Sequence, residues 1–175
     1  MKKITSRAVE RHHDARVRTI AGADALANQV LTTSDVSRIA KISLRQVQWW
    51  DERKLISPHQ EGHRRIYLPE DVIEIMVVAE LRRKGLSLQK IRRVLRLLRQ
   101  KLLEPGSKRP SSSSSLYLLT DGRSVHLEEH TRRIIDLLKH ARQPMSLVCV
   151  SDQVKRLVSE KVTSRQSGKQ QLGLF

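Results

Sequence analysis

The sequence is poor in several features, and each shortage excludes a class of protein. Cys149 is the only cysteine among 175 residues, so no disulfide can form within the chain, and a reducing cytoplasm is expected. No apolar run is long enough to cross a bilayer, and the lysines after Met1 lead into no apolar segment. We therefore expect neither a membrane partner nor a secretory signal.

Acidic residues are also scarce. There are 18 of them against 34 lysines and arginines, which gives a net charge of +16 at pH 7. A basic excess of this size favours a polyanionic partner such as nucleic acid. A merely soluble basic surface, or attraction to ribosomes or to a membrane surface, is the less specific interpretation.

Residues 33–52 carry a helix-turn-helix pattern. The first helix is predicted to face inward at Val36, Ile39 and Ala40. Ser43 and Gln46 form an S-x-x-Q capping box, so a second helix should begin directly after a tight break at Ile42. Two short helices joined in this way are typical of a DNA-binding helix-turn-helix.

The second helix divides into a buried and an exposed face. The three-residue spacing of apolar side chains predicts a buried face at Leu44, Val47 and Trp50. The other side carries long hydrogen-bond donors that could reach base edges and phosphates in a major groove. The candidate DNA-binding residues of this helix are Arg45, Gln48, Trp49 and Arg53.

A short hairpin is predicted next. Two segments, residues 55–58 and 64–67, flank a polar loop that contains Gly62. Arginines along such a hairpin could lie against the DNA backbone as a wing. The candidate contacts of this hairpin are Arg64, Arg65 and Tyr67. Pro69 then begins a third helix, whose predicted core residues are Val72, Ile73, Ile75, Met76, Ala79 and Leu81.

These motifs, in this order, resemble the MerR family of winged-helix regulators over residues 33–98. The matching residues are Arg45, Val47, Trp49, Trp50, Asp51, Arg65, Tyr67, Gly85, Leu86, Ser87, Leu88 and Ile91. Gln48 replaces the second arginine of the family motif, two tryptophans replace two tyrosines, and an aspartate replaces a glutamate. Trp49 offers only an N–H donor, so the resemblance implies DNA binding with a different preferred site.

The helix that Ser87 caps carries a heptad pattern to about Leu103. Apolar residues step by three and four, which is typical of a helix–helix seam. Its first half is expected to pack on its own domain, and its second half to contact another copy. The candidate dimerisation residues are Ile91, Leu95, Leu98 and Leu102. The family usually dimerises through a later long helix, but residues 105–115 form a Pro/Ser linker here, so that helix is missing or replaced.

A small α/β unit is predicted at residues 116–162, in the order strand, strand, helix, strand, helix. Asp121-Gly122 predicts a two-residue hairpin loop, and Ser151 is predicted to cap the last helix. The unit is similar to the accessory domain of some antitoxin-type helix-turn-helix proteins. A unit of this size is marginal alone, so it should pack on a partner copy or on the head. The fold class is therefore mainly α, with a winged helix-turn-helix head and a C-terminal ββαβα unit.

No catalytic or metal chemistry is predicted. The possible zinc ligands His126, His130, His140 and Cys149 have no spacing that fixes a site. No glycine-rich phosphate loop occurs, and one tight hairpin cannot bring Asp121, Ser124 and His126 together as a nucleophilic triad. We expect no metal, no cofactor and no enzymatic activity.

Both ends of the chain are predicted to be mobile, residues 1–30 as a basic arm and residues 163–175 as a tail. The tail ends in a segment that resembles the Q-L-x-L-F peptide by which bacterial proteins bind the replicative sliding clamp. The candidate clamp-binding residues are Gln171, Leu172, Leu174 and Phe175. The alternative is that these apolar residues dock on the protein's own surface.

Three functions follow as hypotheses. The first is a bacterial, cytoplasmic, nucleoid-associated transcriptional regulator that binds double-stranded DNA as a homodimer, with RNA polymerase as a possible partner. The second is a DNA-maintenance factor that the sliding clamp recruits. The third is an antitoxin whose C-terminal unit binds a toxin.

Overall fold

A computed structural model describes residues 30–106 and 115–170, with side chains up to residue 160. Within these ranges the helices are α1 (Thr33–Ala40), α2 (Leu44–Glu52), α3 (Pro69–Arg83), α4 (Leu88–Leu103), α5 (Thr131–His140) and α6 (Val150–Gln170). The strands are β1 (Leu31–Thr32), β2 (His59–Glu61), β3 (Arg64–Tyr67), β4 (Tyr117–Thr120), β5 (Val125–Glu128) and β6 (Ser146–Cys149). None of the helices in the described part is both long and apolar enough to cross a bilayer.

The predicted helix-turn-helix is confirmed. Ser43 caps α2, and its hydroxyl accepts from the Gln46 amide while the Gln46 side chain accepts from the Ser43 amide. A second capping box, between Thr32 and Asp35, begins α1. The residues expected inside α1, Val36, Ile39 and Ala40, are all buried. Because both boxes form between residues three apart, the local sequence sets where each helix begins.

The hairpin is confirmed, but its first strand is not where the sequence predicted it: β2 is His59–Glu61, within the predicted loop, and residues 55–58 form no strand. β2 and β3 pair antiparallel around Gly62, whose φ of +61° favours glycine. The two-residue strand β1 pairs with the other edge of β3, so the sheet order is β1-β3-β2. A strand this short has no detectable periodicity in the sequence, and it forms because β3 offers a free edge beside the start of α1.

Leu44 is a correction. It was expected on the buried face of α2 with Val47 and Trp50, but its side chain is 47% exposed while the other two are buried. Leu44 is the first residue of α2. The first turn of this helix lies at the edge of the core, so the apolar stripe is covered only from Val47 onward.

A single core joins the head to the C-terminal unit, and α3 is its centre. The residues of α3 expected in the core are all buried, and Val77 and Val78 are buried with them. The sheet β5-β4-β6 turns Leu118, Val125 and Val148 toward this core, and α6 adds residues such as Leu157. The C-terminal unit therefore packs on the head, which was one of the two expected arrangements.

This packing overturns the predicted dimer seam on α4. Ile91, Leu95 and Leu98 are 0%, 2% and 5% exposed, and the half-buried Leu102 packs against the same core. Strand β5 lies beside α4, and its half-buried Leu127 also packs against that core. The heptad pattern is real, but its apolar residues are used within one copy of the chain, so none of them is retained as a dimer contact.

Two details of the C-terminal unit differ from the expectation. The β4–β5 loop has four residues, because Thr120 pairs with Val125, and the Asp121 carboxylate accepts from the Arg123 and Ser124 amides to close the turn. Ser151 does not cap the last helix. The helix begins one residue earlier, and the Ser151 hydroxyl accepts from the Leu116 amide instead.

The end of α6 reaches into the predicted tail. The helix continues to Gln170, so residues 163–170 belong to it. A helix that has already formed extends at little cost through a polar stretch without proline. The clamp-like peptide at residues 171–175 and the basic arm at residues 1–29 lie outside the described residues.

Candidate nucleic-acid interface

One face of α2 is exposed to solvent, and the opposite face packs in the core. Val47 and Trp50 anchor the helix in the core, while Arg45, Gln48 and Trp49 point away from it. No hydrogen bond or ion pair joins the side chain of Arg45 or that of Gln48 to another described residue. These side chains therefore leave their donors available to an external ligand, as a helix that enters a major groove requires.

Trp49 and Arg53 form a pair on this face. The Arg53 guanidinium lies over the Trp49 ring, 5.3 Å from the ring centroid. Trp49 is 39% exposed, a large apolar side chain held at the surface. A cation–π contact keeps the ring and the charge together and still leaves guanidinium N–H groups to donate outward.

The predicted wing residue Arg65 is tied to the recognition helix. Its Nε lies 2.7 Å from Oδ2 of Asp51, and about a third of its side chain is exposed. This ion pair holds β3 against the last turn of α2. Arg65 is therefore placed to position the hairpin, whereas Arg64, on the opposite face of the strand, is exposed and has no partner among the described residues.

Tyr67 is a correction to the predicted interface. Its side chain is 0% exposed, and burial raises the pKa of its phenol. Arg65 and Tyr67 lie two residues apart, so they share the face of β3 that is turned toward the helices. The Tyr67 hydroxyl cannot reach a DNA phosphate from the core, and this residue is removed from the set of backbone contacts.

Arginines that the sequence analysis did not identify bind the C-terminal ends of α1 and α2. The carbonyl of Ile39 accepts from Arg156 of α6 at 3.0 Å, and that of Ala40 accepts from Arg83 at 2.9 Å. The carbonyl of Arg53 accepts from Arg92 of α4 at 2.6 Å. In these bonds a charged donor caps a carbonyl at the end of a helix, and such bonds are stronger than hydrogen bonds between neutral groups. Their partners are 39 to 117 residues apart in the chain, so no local signal could have revealed them.

The C-terminal unit has a second link to α1. Arg38 lies 2.6 Å from Glu160 of α6, which adds an ion pair beside the bond from Arg156. The two contacts run from one helix of the C-terminal unit to the first helix of the helix-turn-helix. A change in the position of α6 would therefore alter these contacts with α1.

The possible metal ligands are dispersed. In residues 30–106 and 115–160, no three side chains of histidine, cysteine, aspartate or glutamate lie together as a metal site would need. His126 and His140 line a small cavity of about 300 Å³ with Asp121, without forming such a group. Burial raises the pKa of the Cys149 thiol, which disfavours the thiolate that binds metals.

Comparison with known proteins supports the geometry of the head. Residues 31–98 match the family described as MerR HTH family regulatory protein. The matched segment begins at β1 and ends within α4, so it contains the helix-turn-helix and the hairpin and stops before the linker. No curated protein matches the chain.

Proposed function

We propose that this protein is a transcriptional regulator that binds double-stranded DNA sequence-specifically as a homodimer, because residues 31–98 contain a helix-turn-helix and match the family described as MerR HTH family regulatory protein. The observation that carries the proposal is the outer face of α2. It presents Arg45 and Gln48 without internal partners, on a helix whose two ends are fixed by Ser43 and Arg92.

The residues have separate roles in this proposal. Arg45 and Gln48 donate to base edges in the major groove, where bidentate donors of this kind discriminate between base pairs. Trp49 and Arg53 contact the flanking backbone, and Arg64 contacts phosphates from the hairpin. Arg65 acts through Asp51 to set the angle between the hairpin and α2.

The homodimer rests on the family resemblance and on the small number of base pairs that one recognition helix can cover. Because the heptad residues of α4 are buried within one copy, the contact between copies would use a different surface. Light scattering of the full-length protein, with and without its DNA site, tests the assembly. A monomer on DNA would contradict this part of the proposal.

The DNA site can be found and tested with the full chain. Selection from a random duplex pool should enrich one sequence, and Arg45→Ala should then weaken binding to it by ~1–3 kcal/mol while leaving weak, non-specific binding nearly unchanged. Arg132→Ala is a matched control, since it removes one exposed arginine from α5. Equal losses in both variants would mean that α2 does not read bases.

A further inference from the structure

We propose that a basic groove between the end of α2 and α4 binds a phosphodiester of the DNA backbone, beyond the contacts of α2 and the hairpin. The groove has a volume of about 350 Å³, and its basic lining residues are Lys54, Arg92, Arg96 and Arg99. The inference rests on the proposed function, since it assigns a further part of the same DNA interface.

The groove is strongly positive. None of the described residues that line it is acidic. Of its four cationic side chains, only Arg99 is neutralised, by the carboxylate of Glu74. Lys54 and Arg96 are exposed and have no partner among the described residues. Cations that gather around one depression without counter-ions attract an anion.

The groove continues the surface of the recognition helix. Arg53 ends α2, Lys54 follows it, and the Arg53 carbonyl accepts from Arg92 at 2.6 Å. Arg96 lies one turn further along α4, ~6 Å from Arg92 along the helix axis. If α2 lies in the major groove of the DNA, the DNA strand that borders that major groove would therefore contact these charges next.

The backbone of Lys54 sets where its ammonium lies. Its φ of +53° lies in the left-handed region, which costs free energy for any residue with a Cβ. After α3, a hydrogen bond from Leu86 N to Leu81 O closes the end of the helix, and Gly85 takes the left-handed position. Leu55 N to Trp50 O is the matching bond after α2. Lys41 ends α1 in the same way, with a φ of +54° and a bond from Ile42 N to Ser37 O, so the left-handed backbone alone does not mark a site. At Lys54 it places an exposed ammonium, without a partner among the described residues, in the lining of the groove.

The walls of the groove favour a nucleic-acid strand over a bare ion. Leu55 and Leu95 lie in the lining, and Leu103 stands at it with 72% of its side chain exposed. Apolar side chains beside cationic ones suit a phosphodiester, whose charged oxygens are flanked by deoxyribose carbons. A free phosphate would use the cations and leave the exposed side chain of Leu103 in water.

Two variants of the full-length protein test the groove. Arg96→Gln removes one charge and keeps the length of the side chain. Lys54→Gly removes the ammonium and relaxes the backbone, so its thermal midpoint should be no lower than that of the wild type, and lost binding cannot be ascribed to unfolding. Arg93→Gln is the control, because Arg93 is an exposed neighbour on α4 that does not line the groove.

The expected result is a uniform loss of affinity. Each groove variant should weaken binding about five- to tenfold at about 0.1 M salt, and should flatten the slope of log affinity against log salt by about 0.9. The factor should be the same for the selected duplex and for one with altered bases, because a phosphate contact carries no sequence information. Arg93→Gln should change neither quantity.

Several outcomes would overturn the inference. One is wild-type affinity and slope in both groove variants. Another is that inorganic phosphate, at constant ionic strength, raises the thermal midpoint of the wild type but not that of Arg96→Gln, while the two proteins bind DNA with the same affinity. The groove would then bind a free phosphate and not the DNA backbone. If selection enriches no sequence, the proposed function fails, and the salt slope on random duplex DNA still decides whether the groove binds a phosphodiester.

Discussion

Helices α2 and α4 look alike in sequence and are used in opposite ways. Both combine regularly spaced apolar residues, three apart in α2 and three or four apart in α4, with arginines on the other side. In α2 the apolar side holds the helix in the core and the polar face is left open. In α4 the apolar seam is closed by α3 and the C-terminal sheet of the same chain. The comparison shows that a heptad pattern predicts that a seam will be covered, but not by which partner.

The largest expected effect comes from opening the α4 seam. Leu95→Ala removes a side chain that is 2% exposed, so it should lower the free energy of unfolding by ~2–5 kcal/mol in urea titrations. Leu103→Ala, on the exposed side of the same helix, should change it by less than ~0.5 kcal/mol. If Leu95→Ala kept full stability and changed the mass in light scattering instead, the seam would be an interface between copies after all.

A smaller effect sharpens the role of the open face of α2. Arg65→Ala and Asp51→Ala should each weaken DNA binding, and the double variant should be little worse than either, with a coupling of roughly 0.5–1 kcal/mol. The salt slope should stay the same, because Arg65 positions the hairpin through Asp51. A flatter slope in Arg65→Ala, with tighter binding in Asp51→Ala, would instead make Arg65 a phosphate contact.

The smallest effect concerns the β4–β5 hairpin, which lies beside α4. There Gly122 is so close to Lys90 that a Cβ on residue 122 would collide with the Lys90 side chain. Burial alone would raise the pKa of Asp121, but hydrogen bonds from the Ser124 and Arg123 amides outweigh it and lower that pKa below 3.8. A lowered folded pKa stabilises the protein above pH 3.8, and this stabilisation is lost as pH falls through the folded value.

Asp121→Asn should therefore reduce the loss of unfolding free energy as the pH falls below about 4, as measured by urea titration at each pH. Asp152→Asn is the control, because Asp152 is an exposed carboxylate at the start of α6. An unchanged acid limb in Asp121→Asn would show that the loop contributes nothing to the pH dependence.

The predicted elements that proved right depend on short-range signals. The capping box at Ser43, the hairpin turn at Gly62 and the proline that begins α3 each depend on residues within a few positions of one another. The strand and helix order of the C-terminal unit followed from local turn signals in the same way. The errors at Tyr67 and at the α4 seam share another cause, since the burial of a side chain depends on segments far away in the chain.

The sequence by itself determined where α1 and α2 begin, how the hairpin turns, and which face of α2 carries Arg45 and Gln48, because these depend on bonds and spacings within about one helical turn. Only the tertiary structure decided that the C-terminal sheet closes the α4 seam, that Tyr67 lies in the core, and that Arg156 caps α1. Those outcomes require chain segments up to 117 residues apart to meet, and a local pattern holds no information on which of them will do so.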